Sequence, residues 1–286
     1  MILNSFVELE ENKFPVVIFG SGPAGLSLAL ELEKKNISCL IIEAGDEFYN
    51  DESQSYFKIN TEGTNLKDIS SSRLRQFGGT SASWGGWCKP FSDLDIKKTG
   101  LNPEEIKKHQ SKTCEILGIK NLFRESSINK DFNQIEFQYS DTTFYEKYFS
   151  HIKASKKILL LLNTQLSHFE GKNKIVKKAI CFLNGKKFDI KSREFILCCG
   201  GIENSRILLW TKFKNKDLLK NNLNIGNYWM THYWILGGIG FIDLNNFKSF
   251  MRNNFLDREG AIHIASKENK LKNNLQMGLY LSTNED

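Results

Sequence analysis

Pro15-Val-Val-Ile-Phe-Gly20-Ser-Gly-Pro-Ala-Gly25 is the stretch that decides the fold. Its short, continuous apolar run is the pattern of a strand buried on both faces of a parallel sheet. The run breaks into three glycines at GxGxxG spacing, and Leu26 to Lys35 then reads as helix-forming. A second apolar run, Cys39-Leu-Ile-Ile-Glu43, completes a βαβ unit. In such a unit Gly20 permits the tight turn out of the strand, Gly22 lets the backbone approach a pyrophosphate, and Gly25 lets the helix pack closely on the strand. The helix N-terminus, opened by Pro23 and Ala24, faces the anion. Glu43, followed by Ala44, stands where a carboxylate accepts both ribose hydroxyls and repels a 2′-phosphate. The expected fold is therefore α/β, a dinucleotide-binding, doubly wound parallel sheet of Rossmann-like form.

Outward from this unit, Phe48 to Ser72 is polar and reads as a long surface excursion. Next comes Arg73-Leu-Arg-Gln-Phe-Gly-Gly-Thr-Ser-Ala-Ser-Trp-Gly-Gly-Trp-Cys-Lys-Pro90. Its glycines and hydroxyl residues describe a loop whose backbone approaches something closely. Successive amides there can form an anion nest, and the indoles can flank a flat ring. Pro103 to Leu117 reads as one amphipathic helix, with Pro103 in its first turn and Glu104-Glu105 at its positive end. Ile158 to Leu162 is another buried strand. Ile175 to Leu183 and Lys187 to Lys191 form a small meander around Asn184-Gly185, a tight-turn dipeptide. Phe195-Ile-Leu-Cys-Cys199 is again a parallel-type strand, running into Gly200-Gly201 and a helix from Ile202 to Trp210. Adjacent cysteines in a strand point to opposite faces, so Cys198 and Cys199 read as small buried residues rather than a redox pair.

Composition narrows the class. The 286 residues, 40% hydrophobic and 12% aromatic, suffice for a sizeable core in one large or two ordinary domains. The net charge of +6 is spread over interleaved lysines and acids without a long basic run, which speaks against a nucleic-acid partner. Six cysteines without CxxC or His-plus-Cys spacing predict neither a zinc site nor a disulfide framework, and the default is a reducing cytoplasm. Met1 to Lys13 carries Glu8, Glu10 and Glu11 and no basic stretch ahead of an apolar one, unlike a signal peptide. The longest apolar stretch, Trp229 to Ile242, is broken by His232 and three glycines and is too short for a membrane span.

Gly20 to Gly45, Phe77 to Pro90 and Phe195 to Leu209 together resemble the glucose-methanol-choline (GMC) class of flavin oxidoreductases, above all its pyranose-oxidase-like branch. The resemblance implies that the dinucleotide is FAD. It places Gly20, Gly22, Gly25 and Glu43 on the ADP half and Gly78, Gly79 and Thr80 along the pyrophosphate. Ser83, Trp84, Gly85 and Gly86 then approach the isoalloxazine. Arg75 precedes that loop, Cys199 and Gly200 form the second glycine turn, and Leu166 takes the adenine-contacting position. In the branch with covalent flavin a histidine precedes the loop tryptophan; here Ser83 does, so FAD is expected without a covalent link. Ile225 to His232 resembles a segment ending in Asp-His, with Thr231 in place of the acid. His232 fits a hydrogen-bonded core residue better than a catalytic one, and His109, His151, His168 and His263 show no partner constellation.

In the family, a base near the C-terminus takes the hydroxyl proton of a sugar or alcohol while hydride passes to flavin N5. This chain, including Glu268 to Asp286, shows no such histidine pattern. The expectation is thus an N-terminal portion of a longer enzyme acting on CH-OH donors, with no catalytic residue assigned and no metal site. Its base is absent or is supplied by a complementing C-terminal chain; the alternative is a silent FAD-binding remnant or subunit. An NAD-dependent reductase explains neither the Trp84 loop nor the second glycine turn. Residues 12–99 and 155–230 are expected to form a discontinuous FAD-binding domain. Residues 100–154 and 231–286 are expected to form an inserted helical segment and a partial, mainly β substrate domain.

Overall fold

The computed structural model describes residues 2–3, 14–62, 69–127, 130, 132–219, 224–230, 260–266 and 278–279. Thr231, His232 and all of Glu268 to Asp286 except Gly278 and Leu279, like most of Met1 to Lys13 and of the apolar stretch from Trp229 to Ile242, lie outside these residues. In chain order the elements begin with β1 (Ile2–Leu3), β2 (Val16–Phe19), α1 (Pro23–Lys34), β3 (Cys39–Ile42) and α2 (Asp51–Ser55). After 3-10 turns at Ile69–Ser72 and Gly79–Ala82 come β4 (Trp87–Cys88), α3 (Asp93–Lys98), α4 (Pro103–Lys107), α5 (Gln110–Leu117), β5 (Glu125–Ser127) and β6 (Phe132–Tyr139). Then follow α6 (Phe144–Ala154), β7 (Ile158–Leu161), β8 (Thr164–Lys172), β9 (Ile175–Leu183), β10 (Lys186–Ile190), β11 (Glu194–Leu197) and α7 (Gly200–Lys214). The last two are β12 (Gly260–Ser266) and β13 (Gly278–Leu279). They fall into two compact units, Met1–Trp84 with Thr143–Tyr233, and Gly85–Thr142 with Trp234–Asp286.

The first unit is built on an all-parallel sheet in the order β1-β7-β3-β2-β11. Its central strands β2, β3 and β7 are buried along their whole length, which is why they read as unbroken apolar runs. Alternation divides their side chains between two layers. Val17, Phe19, Leu40, Ile42, Leu159 and Leu161 share one core with Leu166, Phe169, Ala179, Cys181 and Leu183 of an antiparallel meander, β10-β9-β8, and with Ile207 of α7. Helices α1 and α6 pack on the sheet as well. The expected α/β fold with a parallel sheet is present, with the meander covering one face. Its turn is Asn184-Gly185, both at positive φ (49° and 75°), as a two-residue hairpin demands.

Strand β8 has no counterpart in the sequence reading. Its register slips between Leu166 and His168, a bulge that interrupts the period-2 pattern. The Phe169 amide next to that bulge donates to Thr211 Oγ1 (3.1 Å), tying β8 to α7. Pro103 to Leu117 is likewise two helices rather than one. At the junction His109 N–H turns to the Ile106 carbonyl, and Ile106 is 39% exposed, so no buried stripe runs through to hold a single helix together.

In the second unit a sheet runs β13-β12-β6-β4, with β5 also on β6. Trp87 and Tyr139 face one another across β4 and β6, ring centroids 4.9 Å apart. No helix among the described residues is long and apolar enough to cross a membrane.

Two histidines do have partners. His168 Nδ1 lies 3.0 Å from the Ser167 hydroxyl. His151 Nε2 lies 2.6 Å from Glu33 Oε2, and Glu33 Oε1 accepts from Ser155, whose hydroxyl in turn accepts from the Lys157 and Ile158 amides. This polar knot joins the ends of α1 and α6 to the start of β7. Burial raises the Glu33 pKa, but the bonds from Ser155 and His151 outweigh it and leave the carboxyl below its ordinary value. A depressed carboxyl contributes stability that is present above its unfolded pKa and lost as pH falls through the folded one. Glu33→Gln should therefore cost about 1 kcal/mol in urea unfolding at pH 7. That deficit should shrink as the pH falls below the ordinary carboxylate range; an equal deficit at pH 7 and in acid would refute the assignment.

Candidate functional site

A cavity of about 890 Å³ opens where β2, β3 and β11 end. This is the carboxyl edge of the parallel sheet, the place where ligands bind in open α/β sheets. Gly20, Gly22, Pro23 and Ala24 form its floor, with Glu43 and Ala44 at the end of β3 and Leu166 on β8. Arg75, Gly79, Thr80 and Trp84 come from the glycine-rich loop, and Cys199 and Gly200 from the second turn.

The three motif glycines divide their work. Gly20 has φ +98°, and a Cβ there would sit 2.5 Å from the Cys198 carbonyl oxygen, so the two glycine turns abut. A Cβ on Gly25 would lie 2.0 Å from the Gly20 carbonyl oxygen, which is how closely α1 rests on the turn. Gly22 is different: its φ is −70°, and a Cβ there would meet nothing within 4 Å. Neither backbone conformation nor packing calls for glycine at that position, which leaves clearance in front of α1 as its use. The open space lies at the N-terminus of a 12-residue helix whose first amides carry partial positive charge.

Glu43 is 6% exposed and firmly held. Its Oε2 accepts from the Ser21 amide (2.9 Å) and hydroxyl (2.7 Å), and its Oε1 from the Gly45 amide (2.8 Å). With three of roughly four acceptor positions occupied, the expectation that it takes both ribose hydroxyls narrows to one.

The glycine-rich loop also departs from expectation. Gly78 N–H donates to the Ser21 carbonyl and Gly79 N–H to that of Gln76, so these amides hold the protein together rather than forming an anion nest. Phe77 and Ser81 anchor the loop: Phe77 packs edge-on to Phe149 of α6, and Ser81 Oγ accepts from the Phe144 amide. Gly25, Gly78 and Ser83 do not line the cavity. Gly85 and Gly86 belong to the second unit, where a Cβ on Gly86 would strike the Ser140 carbonyl at 2.4 Å.

Of the charged part of the wall, sequence reasoning named Arg75 but missed Arg73, Glu203 and Arg206. Arg73 Nη1 meets Glu203 Oε1 at 2.9 Å, and Arg206 Nε meets Glu203 Oε2 at 2.7 Å. The Arg73 guanidinium lies over the Phe57 ring (4.3 Å) and that of Arg75 over Tyr56 (4.7 Å). Arg75 is 7% exposed and donates to the Ser53 carbonyl and hydroxyl; burial pulls its pKa below the ordinary value. Within the stretch expected as a long surface excursion, Tyr56 and Phe57 thus stack against two arginines of the cavity wall, and Ser53 accepts from one of them. One signal was available: three of the seven arginines in a lysine-rich chain, Arg73, Arg75 and Arg206, stand at this cavity. Burial pushes the Cys198 and Cys199 thiols up, as for inert buried cysteines. Among the described residues no group of three or more His, Cys, Asp or Glu could hold a metal ion.

Residues 13–59 match the sequence family described as FAD binding domain. No curated protein matches the chain by sequence. Among solved structures it is similar to pyridoxine 4-oxidase from Mesorbium loti, with TM-score 0.51 and 13% identity over 69% of this chain and 51% of that one. It is similar also to an FAD-dependent oxidoreductase from Chaetomium thermophilum, with TM-score 0.51 and 12% identity over 68% of this chain and 47% of that one. The chain spans about half the length of these two structures, and at such identities the likeness is one of fold. The cofactor is FAD. The cavity suits it: the clearance before Gly22, the remaining acceptor position on Glu43 and a buried Arg73 Nε with no acceptor among the described residues are what a dinucleotide would fill.

Gly22 and Gly25 can be told apart by experiment. Gly22→Ala should leave the melting temperature of the ligand-free protein unchanged or slightly raised, because alanine suits that backbone, yet abolish the quenching of FAD fluorescence. Gly25→Ala should lower the melting temperature of the ligand-free protein itself. Equal effects of the two on melting would contradict the division of roles.

Proposed function

We propose that this chain is the FAD-binding portion of an oxidoreductase of the GMC class, in its pyranose-oxidase-like branch, that oxidises a CH-OH group of a sugar or alcohol. The observation that carries the reading is one cavity lined together by Gly20, Gly22, Pro23 and Ala24, by Gly79, Thr80 and Trp84, and by Cys199 and Gly200. These are the three segments on which the resemblance rests. The first unit is then the discontinuous FAD-binding domain, and the second a partial substrate domain.

When bound, FAD supplies the hydride acceptor. The chain's own residues would hold and orient it: the start of α1 would receive the pyrophosphate, Glu43 would accept a hydrogen bond from one ribose hydroxyl, and Leu166 would contact the adenine. We place the cofactor there without a covalent bond, since Ser83 stands where the covalent branch has histidine and no histidine among the described residues lines the cavity. The base that takes the substrate's hydroxyl proton is accordingly assigned outside the described residues or to a complementing chain. All six cysteines are free thiols, in keeping with a reducing cytoplasm.

Purified protein reconstituted with FAD should turn yellow and release all its flavin to the supernatant on acid denaturation. Anaerobic titration with a panel of sugars and alcohols should bleach it. A colourless protein after FAD addition would remove the cofactor assignment. Flavin retained in the acid pellet would overturn non-covalent binding, and a yellow protein that no donor bleaches would establish a silent FAD-binding subunit instead.

A further inference from the structure

The cavity carries more positive charge than its motif residues supply. Two helices, α1 and α7, present their N-terminal turns to it, the second through Gly200, Gly201 and Ile202. Above them stand Arg73, Arg75 and Arg206 against two carboxylates, and Glu43 is committed to Ser21 and Gly45. Glu203 is shared between Arg73 and Arg206, so that group alone retains one positive charge.

Within it Arg73 is distinctive. Its side chain is 13% exposed, one edge is engaged by Glu203 and the Phe57 carbonyl, and one face lies on the Phe57 ring. Its Nε is buried with no acceptor among the described residues. A buried guanidinium nitrogen without an acceptor is costly, and the cost is removed when an oxygen arrives. Resting on the FAD reading, we infer that Arg73 binds a phosphate oxygen of the dinucleotide through its Nε edge. The acceptor is a phosphate because the pyrophosphate is the anionic part of the ligand, and both helix N-termini and the uncompensated charge favour an anion. Glu203 then has a second task. It holds the guanidinium in position in the ligand-free protein and competes with the phosphate for it.

The test is FAD affinity, by quenching of flavin fluorescence, as a function of salt concentration. Arg73→Gln should weaken FAD binding about tenfold to a hundredfold and flatten its salt dependence, since one cation fewer meets the phosphates. Glu203→Gln, which releases Arg73 from its competitor, should tighten binding several-fold and steepen that dependence. Unchanged affinity in Arg73→Gln would overturn the proposal. So would weaker binding with an unaltered salt dependence, the signature of a packing role alone. Weaker binding in Glu203→Gln would overturn it independently, including where Arg73→Gln does not fold. A parent protein that binds no FAD would instead refute the reading beneath the proposal.

Discussion

The contact on which the rest depends is the approach of α1 to the end of β2. Only a hydrogen on Gly25 allows it, since a methyl there would lie 2.0 Å from the Gly20 carbonyl oxygen. The approach fixes where the first amides of α1 point, and thereby the direction of one of the two helix dipoles that meet the cavity. It also fixes Gly20, whose turn touches the Cys198 carbonyl and so sets where β11 hands over to α7. Because β3, β2 and β11 are neighbours in the sheet, three chain segments distant in sequence leave it side by side, and one cavity forms among them.

Legibility in the sequence followed the physics of each element. β2, β3 and β7 could be read because strands buried on both faces cannot hide their composition. The motif glycines could be read because their roles are local. β8 could not: His168 and Glu170 interrupt its alternation, and the bulge that accommodates them is stabilised by Thr211 from far along the chain. Arg73 and Glu203 are 130 positions apart, so no window contains both. Yet Glu203 recurs with Ile207 and Thr211 at four-residue spacing, and all three are buried. A carboxylate on the core stripe of a helix is a sign that a cation lies opposite.

The expectations that narrowed have a common cause. Glu43 and the amides of Gly78 and Gly79 were read as free ligand groups, but the fold uses them first to fasten the glycine turn to its neighbours: Glu43 binds Ser21 and Gly45, and Gly78 binds Ser21. Ser21 is the shared partner and is fully buried. A position written as x in GxGxxG thus carries the connection between the turn, the ribose-side carboxylate and the second glycine loop. Sequence motifs mark where the backbone must come close; they do not say which polar groups remain unspent when it does.

A division of labour results between shape and charge. The glycines provide clearance and aim, and they do so whether or not a ligand is present. The guanidinia provide the countercharge, and they cannot stand in a buried wall without partners of their own. Phe57, Tyr56, Ser53 and Glu203 serve as those partners, which explains why residues 50–57, outside every motif, pack against the site. Holding three guanidinia against two carboxylates leaves an excess of one positive charge, and a pyrophosphate with two negative charges would change it to a deficit of one. The cavity is therefore closest to neutrality between its empty and filled states, so neither state carries a large unbalanced charge out of water.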